Sequence, residues 1–143
     1  MTATAAEVSY AADTSVALAA LDESHAGHST SRAAVLRYRP ALAGHAAFET
    51  YSVLTRLPGA LRVSPTVASD IVRRAFPRRC WLGPDDYDDL ASRLSVLGIV
   101  GGGVYDALVG QAAAAHAAIL LTRDRRAERT YAVLGLNYEF IGV

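Results

Sequence analysis

The sequence predicts a three-layer α/β/α fold built around a mostly parallel sheet. Short apolar runs that read as strands alternate with longer segments of helical periodicity along the 143 residues. The strand candidates are continuously apolar, which is typical of parallel strands covered by helices on both faces. An apolar content of 52% supplies enough core for one domain spanning residues 1–143.

The first half of the chain predicts strands and helices with recognisable boundaries. Thr14 or Ser15 can cap a helix after the first strand, and Pro65 suits the first turn of a later helix. Pro40 and Pro58 end the helices that precede them. In order, the predicted elements are a polar lead-in at 1–6, a strand at 7–12, a helix at 14–21, a polar connection at 25–30, a helix at 31–39, a strand at 41–43, and helices at 45–57 and 64–76.

The second half continues the alternation. An acidic first turn favours a helix that begins near 83–86, and Gly98 ends it. The remaining predicted elements are strands at 80–82, 118–122 and 138–143, a glycine loop at 101–103, and helices at 104–117 and 125–134. Within the strand candidates, Tyr10, Trp81 and Phe140 are expected to pack in the core, and Cys80 is expected to be a small buried residue.

Composition excludes several classes of protein. The formal net charge is zero, so no general attraction to nucleic acid or anionic membrane is expected. All fourteen basic residues are arginine, a bias that a GC-rich genome also produces. The single cysteine cannot form an internal disulfide, and neither a membrane span nor a signal peptide is evident. The sequence therefore predicts a cytoplasmic protein without a membrane segment.

Four acidic residues stand at the ends of apolar segments. Asp13 and Asp124 follow predicted strands, while Glu49 and Asp106 lie near the starts of helices. Taken singly, each is a helix cap, a first-turn residue or a solvated carboxylate. Because loops at the carboxyl ends of parallel strands form one crevice, the four together predict a shared cation, Mg²⁺ or Mn²⁺.

Such a site favours direct hydrolysis of a phosphodiester by an activated water. The sequence offers no credible Ser-His-Asp or Cys-His set. A phosphotransferase with an aspartate nucleophile is disfavoured, because Asp13 is followed by Thr14-Ser15 and the chain has no lysine.

Four motifs in order resemble those of the PIN-domain nucleases. They are YAADTS at 10–15, FETYSVLTRL at 48–57, YDALVGQAA at 105–113 and LLTRD at 120–124. The resemblance covers essentially the whole chain, and its size and style are similar to those of the VapC toxins of toxin–antitoxin pairs.

This resemblance implies a magnesium- or manganese-dependent endoribonuclease that forms a homodimer and is inhibited by a cognate VapB-type antitoxin. It implies a metal site and catalytic centre of Asp13, Glu49, Asp106 and Asp124, with the hydroxyl of Thr122 beside it. Arg125-Arg126 stands where a further acidic residue or Asn is expected after Asp124, which leaves one metal ion or two as alternatives.

Two arginine clusters have two interpretations each. Beside the proposed site, an RNA backbone could be held by Arg123, Arg125, Arg126 and Arg129, or these could form a solvated face. The second cluster, Arg73, Arg74, Arg78 and Arg79, is interpreted as solvated surface or an antitoxin contact. A catalytically silent regulator that binds RNA or a partner remains the alternative function.

Overall fold

A five-stranded, all-parallel sheet forms the centre of the molecule, with the strand order β3-β2-β1-β4-β5. The computed structural model describes residues 9–142, so the predicted lead-in, residues 7 and 8 of the first predicted strand, and residue 143 lie outside it. The strands are β1 Tyr10–Ala12, β2 Ala41–Ala43, β3 Arg79–Cys80, β4 Ile119–Thr122 and β5 Tyr138–Phe140. The predicted parallel sheet is confirmed.

Two groups of helices cover this sheet and give the predicted three-layer α/β/α arrangement. The helices are α1 Thr14–Leu21, α2 His28–Tyr38, α3 Ala46–Thr55, α4 Pro65–Ala75, α5 Pro84–Leu97, α6 Gly103–Ala115 and α7 Glu128–Val133, with a 3₁₀ turn at Gly59–Leu61. Helix α1 contacts α2 and α3, α3 contacts α4, and α6 contacts α5, α7 and three of the strands. Among the described residues, no helix is both long and apolar enough to cross a membrane.

The main core lies between the sheet and its helices. Leu42 and Leu120 are fully buried within the strands, and Val16 and Phe76 pack onto them from the helical side. Cys80 is buried in the same cluster, as predicted. A smaller apolar cluster joins α5 to α6, so the position of α6 is fixed from two sides.

The order of the strands explains where a crevice forms. The chain runs from β1 outward to β2 and β3, then returns to the opposite side of β1 as β4. Ala12 is in register with Leu121, and the backbone N–H of Asp13 donates to the Leu121 carbonyl at 3.1 Å. Ligand crevices of parallel sheets form at such a reversal, beyond the carboxyl ends of the strands.

Several predicted boundaries and one predicted burial are wrong. Helix α2 begins at His28 rather than 31, because the His28 Nδ1 lies 2.9 Å from the Ala19 carbonyl and fixes the turn before it. Strand β3 occupies Arg79–Cys80 rather than 80–82. Trp81 therefore lies beyond the sheet edge, 46% exposed, and is not a core residue.

Helix α7 is also shorter than its predicted range of 125–134. The Asp124 Oδ1 accepts from the Arg126 N–H at 2.9 Å, and the Asp124 carbonyl accepts from the Ala127 N–H at 3.1 Å. These bonds form a turn over the first residues of the predicted segment, so the regular helix starts at Glu128.

Candidate metal centre

A small pocket at the carboxyl ends of β1 and β4 contains all four acidic residues singled out by the sequence. Its volume is about 230 Å³. Its lining consists of Asp13, Thr14, Ser15, Leu18, Glu49, Asp106, Val109, Asp124 and Tyr131. The structure thus brings together carboxylates that are up to 111 positions apart in the chain, at Asp13 and Asp124.

Asp13 is the buried member of the set, with only 3% of its surface exposed. Its Oδ1 accepts from the Ser15 hydroxyl at 2.5 Å and from the Val16 N–H at 3.1 Å, so it also caps α1. Burial raises the pKa of Asp13, and hydrogen bonds from Ser15 and Thr122 oppose that shift. The cap and the pocket roles therefore coexist in one carboxylate.

Tyr131 holds the other oxygen of this carboxylate, and no sequence pattern indicates this role. Its buried hydroxyl donates to the Asp13 Oδ2 at 3.0 Å. Burial raises the pKa of Tyr131, and the negative charge of Asp13 raises it further, so the phenol remains a donor. The ring passes so close to Gly110 that a Cβ there would lie 3.1 Å from the Tyr131 Cδ1.

Glu49 and Asp106 approach the pocket from α3 and α6. Burial raises the pKa of Glu49, and the nearby His45 opposes the shift. Burial also raises the pKa of Asp106 to about 6, and the charges of Asp124, Glu49 and Asp13 add to the effect. Asp106 is thus both half-buried and repelled by the other three carboxylates of the pocket.

Asp124 and Thr122 define the edge contributed by β4. The Thr122 side chain is fully buried, and its Oγ1 accepts from the Asp124 N–H at 3.1 Å. The hydroxyl of Ser15 meanwhile accepts from the Arg123 N–H at 2.8 Å, which joins the loops after β1 and β4. These bonds hold the two strand ends, and hence Asp13 and Asp124, at a fixed separation.

The four arginines that neighbour Asp124 in the sequence make different contacts. Arg123 donates to the Ile141 carbonyl at 2.9 Å and packs so tightly on Gly27 that no Cβ would fit there. Arg125 lies 3.6 Å from the centre of the Phe140 ring and 3.4 Å from the Glu128 carboxylate. Arg126 and Arg129 are exposed, so they are the two best able to reach a ligand.

An aromatic surface borders the pocket on the side of α3 and α6. The His45 ring stacks on Tyr105 with centroids 5.4 Å apart, and it makes no side-chain cap at the start of α3. Phe48 lies between His45 and Trp81, and its exposed fraction is 62%. The structure thus adds a half-exposed row of rings to the carboxylates, a feature that the sequence did not predict.

The chemistry of the donor set fits a hard divalent cation. The pocket offers carboxylate and hydroxyl oxygens and no sulfur or imidazole nitrogen. The buried Thr14 Oγ1 lines it without a hydrogen bond of normal geometry. As oriented in residues 9–142, no three His, Cys, Asp or Glu side chains already form a group that could hold an ion. Binding of an ion would therefore require carboxylate side chains of the pocket to reorient.

The fold is that of a PIN domain. The family model for the PIN domain matches residues 10–133, and the chain belongs to that family.

Among its relatives, the chain is similar to two proteins of Mycobacterium tuberculosis. It is 44% identical to Ribonuclease VapC27 over 127 residues, which cover 89% of this chain and 93% of that protein. It is 42% identical to Ribonuclease VapC40 over 133 residues, which cover 92% of this chain and 98% of that protein.

Proposed function

We propose that this protein is a VapC-type toxin: a metal-dependent endoribonuclease that hydrolyses RNA phosphodiester bonds and is inhibited by a VapB-type antitoxin. The pocket that collects Asp13, Glu49, Asp106 and Asp124 is the observation that carries the proposal. Similarity to two ribonucleases over about nine tenths of the chain supports RNA as the substrate class.

The four carboxylates are the proposed ligands for Mg²⁺, with Mn²⁺ as the other candidate. Four like charges in about 230 Å³ are unfavourable without a counterion, as the raised pKa of Asp106 shows. A divalent cation supplies Lewis-acid stabilisation of the phosphodiester and makes a water molecule more acidic at neutral pH.

The remaining residues position this set. Tyr131 and Ser15 each hold one oxygen of Asp13, which fixes the carboxylate plane at the end of β1. The Ser15 hydroxyl is already committed to Asp13 and to the Arg123 N–H, and no histidine lines the pocket. A protein nucleophile is therefore not supported, and water is the proposed attacking group.

Exposed Arg126 and Arg129 are proposed to contact the RNA backbone beside the pocket. Arg126 lies 3.7 Å from Asp124, so its charge also offsets that of the carboxylates. Arg123 and Arg125 belong to the predicted set, but their side chains are engaged by Ile141, Glu128 and Phe140.

A cleavage assay on RNA in Mg²⁺ tests the proposal. Asp106→Asn keeps the shape of the side chain but removes a proposed ligand, and loss of activity on the order of 10²-fold or more is expected. The matched control is Asp88→Asn, an exposed position on α5, which should cleave like the wild type. Cleavage that persists in excess chelator would overturn the proposal.

The alternative of a catalytically silent regulator makes a different prediction in the same assay. It expects the wild type to bind RNA or its partner with no cleavage in Mg²⁺ or Mn²⁺. It also expects Asp106→Asn to leave binding unchanged or stronger, because one negative charge has been removed from the pocket.

A homodimer and a cytoplasmic location complete the proposal, and both rest on the resemblance to VapC toxins. Co-expression with the protein encoded by a neighbouring small reading frame tests the antitoxin. Growth should stop when the toxin is expressed alone and resume with the partner. The Asp13→Ala variant should not stop growth in either case.

A further inference from the structure

A second, larger cavity lies at the amino ends of the strands, opposite the carboxylates at their carboxyl ends. Its volume is about 680 Å³. Ser9 and Tyr10 line it at the start of β1, Pro40 just before β2 and Arg78 just before β3. In a parallel sheet all strands begin on the same side and end on the other, so this cavity is separate from the pocket at the carboxyl ends.

Four arginines from different parts of the chain line this cavity. Arg32 lies on α2, and Arg39 is the first residue after that helix. Arg74 lies in the last turn of α4, and Arg78 immediately precedes β3. No aspartate or glutamate of residues 9–142 lines the cavity. Within that same range, none of the four arginines has an ion-pair partner, whereas Arg73 and Arg93 are paired with Asp70 and Asp89.

The second arginine cluster of the sequence is therefore divided by the fold. Arg73 points to Asp70 at 2.7 Å, and the Arg79 guanidinium donates to the Phe76 carbonyl. Only Arg74 and Arg78 of that cluster reach the cavity. Helix dipoles account for part of the arrangement, because Arg74 is near the C-terminal end of α4. They do not account for Arg32, which is in the first half of α2.

The backbone at this edge adopts an uncommon conformation. Arg39 has a φ of 46°, in the left-handed region that residues with a Cβ rarely adopt. The Arg78 guanidinium donates to the Arg39 carbonyl and holds it there. The Arg78 side chain and the Arg39 backbone are thereby joined beside one cavity.

The other walls are apolar and aromatic. The rings of Tyr10 and Tyr38 lie with centroids 4.4 Å apart, and Val35 and Leu36 continue the wall along α2. Leu36 is 54% exposed although it is a large apolar residue. A ligand that suits this cavity combines a strong anion with a flat, weakly polar group.

We propose that this cavity binds a nucleotide, with its phosphate held by Arg32, Arg39, Arg74 and Arg78 and its base against the wall formed with Tyr10. Guanidinium groups bind phosphate oxygens in pairs of parallel hydrogen bonds and keep their charge at any physiological pH. The nucleotide is either free or part of an RNA chain. The proposal does not depend on the nuclease function, because it uses no residue of the carboxylate pocket.

Binding to the full chain in excess chelator tests the proposal with two probes. Adenosine monophosphate is titrated by calorimetry, and a short labelled single-stranded RNA is titrated by fluorescence anisotropy. The test variant is Arg32→Gln/Arg74→Gln, since neither side chain makes a hydrogen bond within the described residues. The control is Arg73→Gln/Arg93→Gln, which removes the same charge from two helical positions away from the cavity.

The test variant should bind at least one probe on the order of tenfold more weakly, since two charged hydrogen-bonding groups are lost. The control should change by less than about twofold, because neither of its arginines lines the cavity and both pair with a neighbouring carboxylate at the surface. Matching circular dichroism melts would show that both variants fold. If only the binding of the monophosphate weakens, the cavity binds a free nucleotide. If the binding of the RNA weakens, the cavity binds part of an RNA strand. Equal losses in both variants, no loss in the test variant, or no binding of either probe at millimolar concentration would overturn the proposal.

Discussion

The two ends of the parallel strands carry opposite charges in this protein. The acidic edge lies at the carboxyl ends of the strands, and the basic edge lies at their amino ends. At the carboxyl ends of the strands, four carboxylates line a pocket of about 230 Å³. At the amino ends, four arginines line a cavity of about 680 Å³. The formal net charge of zero gives no hint of this separation, because equal and opposite groups cancel in the sum. Net charge is thus a poor guide to what a single face of the molecule attracts.

The two edges hold their like charges by different means. The carboxylates are buried or half-buried, and burial together with mutual repulsion raises the pKa of Asp106 to about 6. The arginines are exposed on flexible side chains, where water screens them. The acidic edge is therefore the one where charge opposes folding, and variants at the two edges should differ accordingly.

The largest effect is expected where the sheet itself is weakened. Leu120 is fully buried in β4, between the two edges. Leu120→Ala should lower the free energy of unfolding by about 3 kcal/mol, because it leaves a cavity in the core. Urea unfolding measures the change. Leu61→Ala, at a position that is 53% exposed, should lose less than about 1 kcal/mol. Equal losses of unfolding free energy in the two variants would show that β4 does not support both ends of the sheet.

A smaller loss is expected at the acidic edge when a hydrogen bond to it is removed. Tyr131→Phe deletes the hydroxyl that donates to Asp13, and should cost roughly 1.5–2 kcal/mol in metal-free protein. The burial of Asp13 makes the lost donor expensive, since no water can replace it easily. Tyr105→Phe is the matched control, because that ring is 53% exposed. A loss as large in the control would contradict the assigned contact.

A gain in stability is expected when the repulsion is relieved. Asp106→Asn should stabilise the metal-free protein by roughly 1 kcal/mol at pH 7, after allowance for partial exposure. The folded pKa is raised, so the wild type binds more protons folded than unfolded between pH 3.8 and about 6. Its stability relative to the variant therefore falls as pH rises through that window, and the difference disappears below it.

Thermal melts in chelator at a series of pH values check this prediction. Asp88→Asn, at an exposed position of α5, should melt close to the wild type across the series. With Mg²⁺ added, the wild type should gain stability and Asp106→Asn should gain less, because a ligand that binds only the folded state stabilises it. A variant that melts below the wild type at pH 7 in chelator would exclude the repulsion.

The smallest effect is expected at the exposed arginines of the acidic edge. Arg129→Gln should change stability by less than about 0.5 kcal/mol, as is usual for solvated positions. It should weaken RNA binding and lower the salt dependence of that binding by about one charge. Arg93→Gln, which faces solvent on α5, serves as control and should leave the salt dependence unchanged. If Arg129→Gln changed the stability but left the RNA affinity equal to that of the wild type, Arg129 would have a structural role instead.

Much of the fold was predictable because its signals are local. Continuous apolar runs gave all five strands, and prolines such as Pro40 and Pro65 marked helix boundaries close to those observed. Strand β3 was misplaced because a paired segment of two residues, Arg79–Cys80, has no pattern of its own. Trp81 was assigned to the core on residue type, although the sheet ends just before it.

The acidic residues were found from their positions after predicted strands and near the starts of predicted helices, but their surroundings were not predicted. The contact between Tyr131 and Asp13 joins residues 118 positions apart, and no local pattern encodes it. Arg123 stands in the sequence beside Asp124, yet its side chain turns away to the Ile141 carbonyl. The arginine cavity was missed because its members come from three separate elements, and their convergence depends on packing.

The long reach of the Tyr131–Asp13 bond has a consequence for the growing chain. A ribosome makes β1 first, but β4, Asp124 and Tyr131 belong to the last quarter of the sequence. A nascent chain that ends before them carries three of the carboxylates without the strand and the phenol that close the pocket. Because domains fold as units once their parts have emerged, the proposed ribonuclease gains its site only when synthesis is nearly complete.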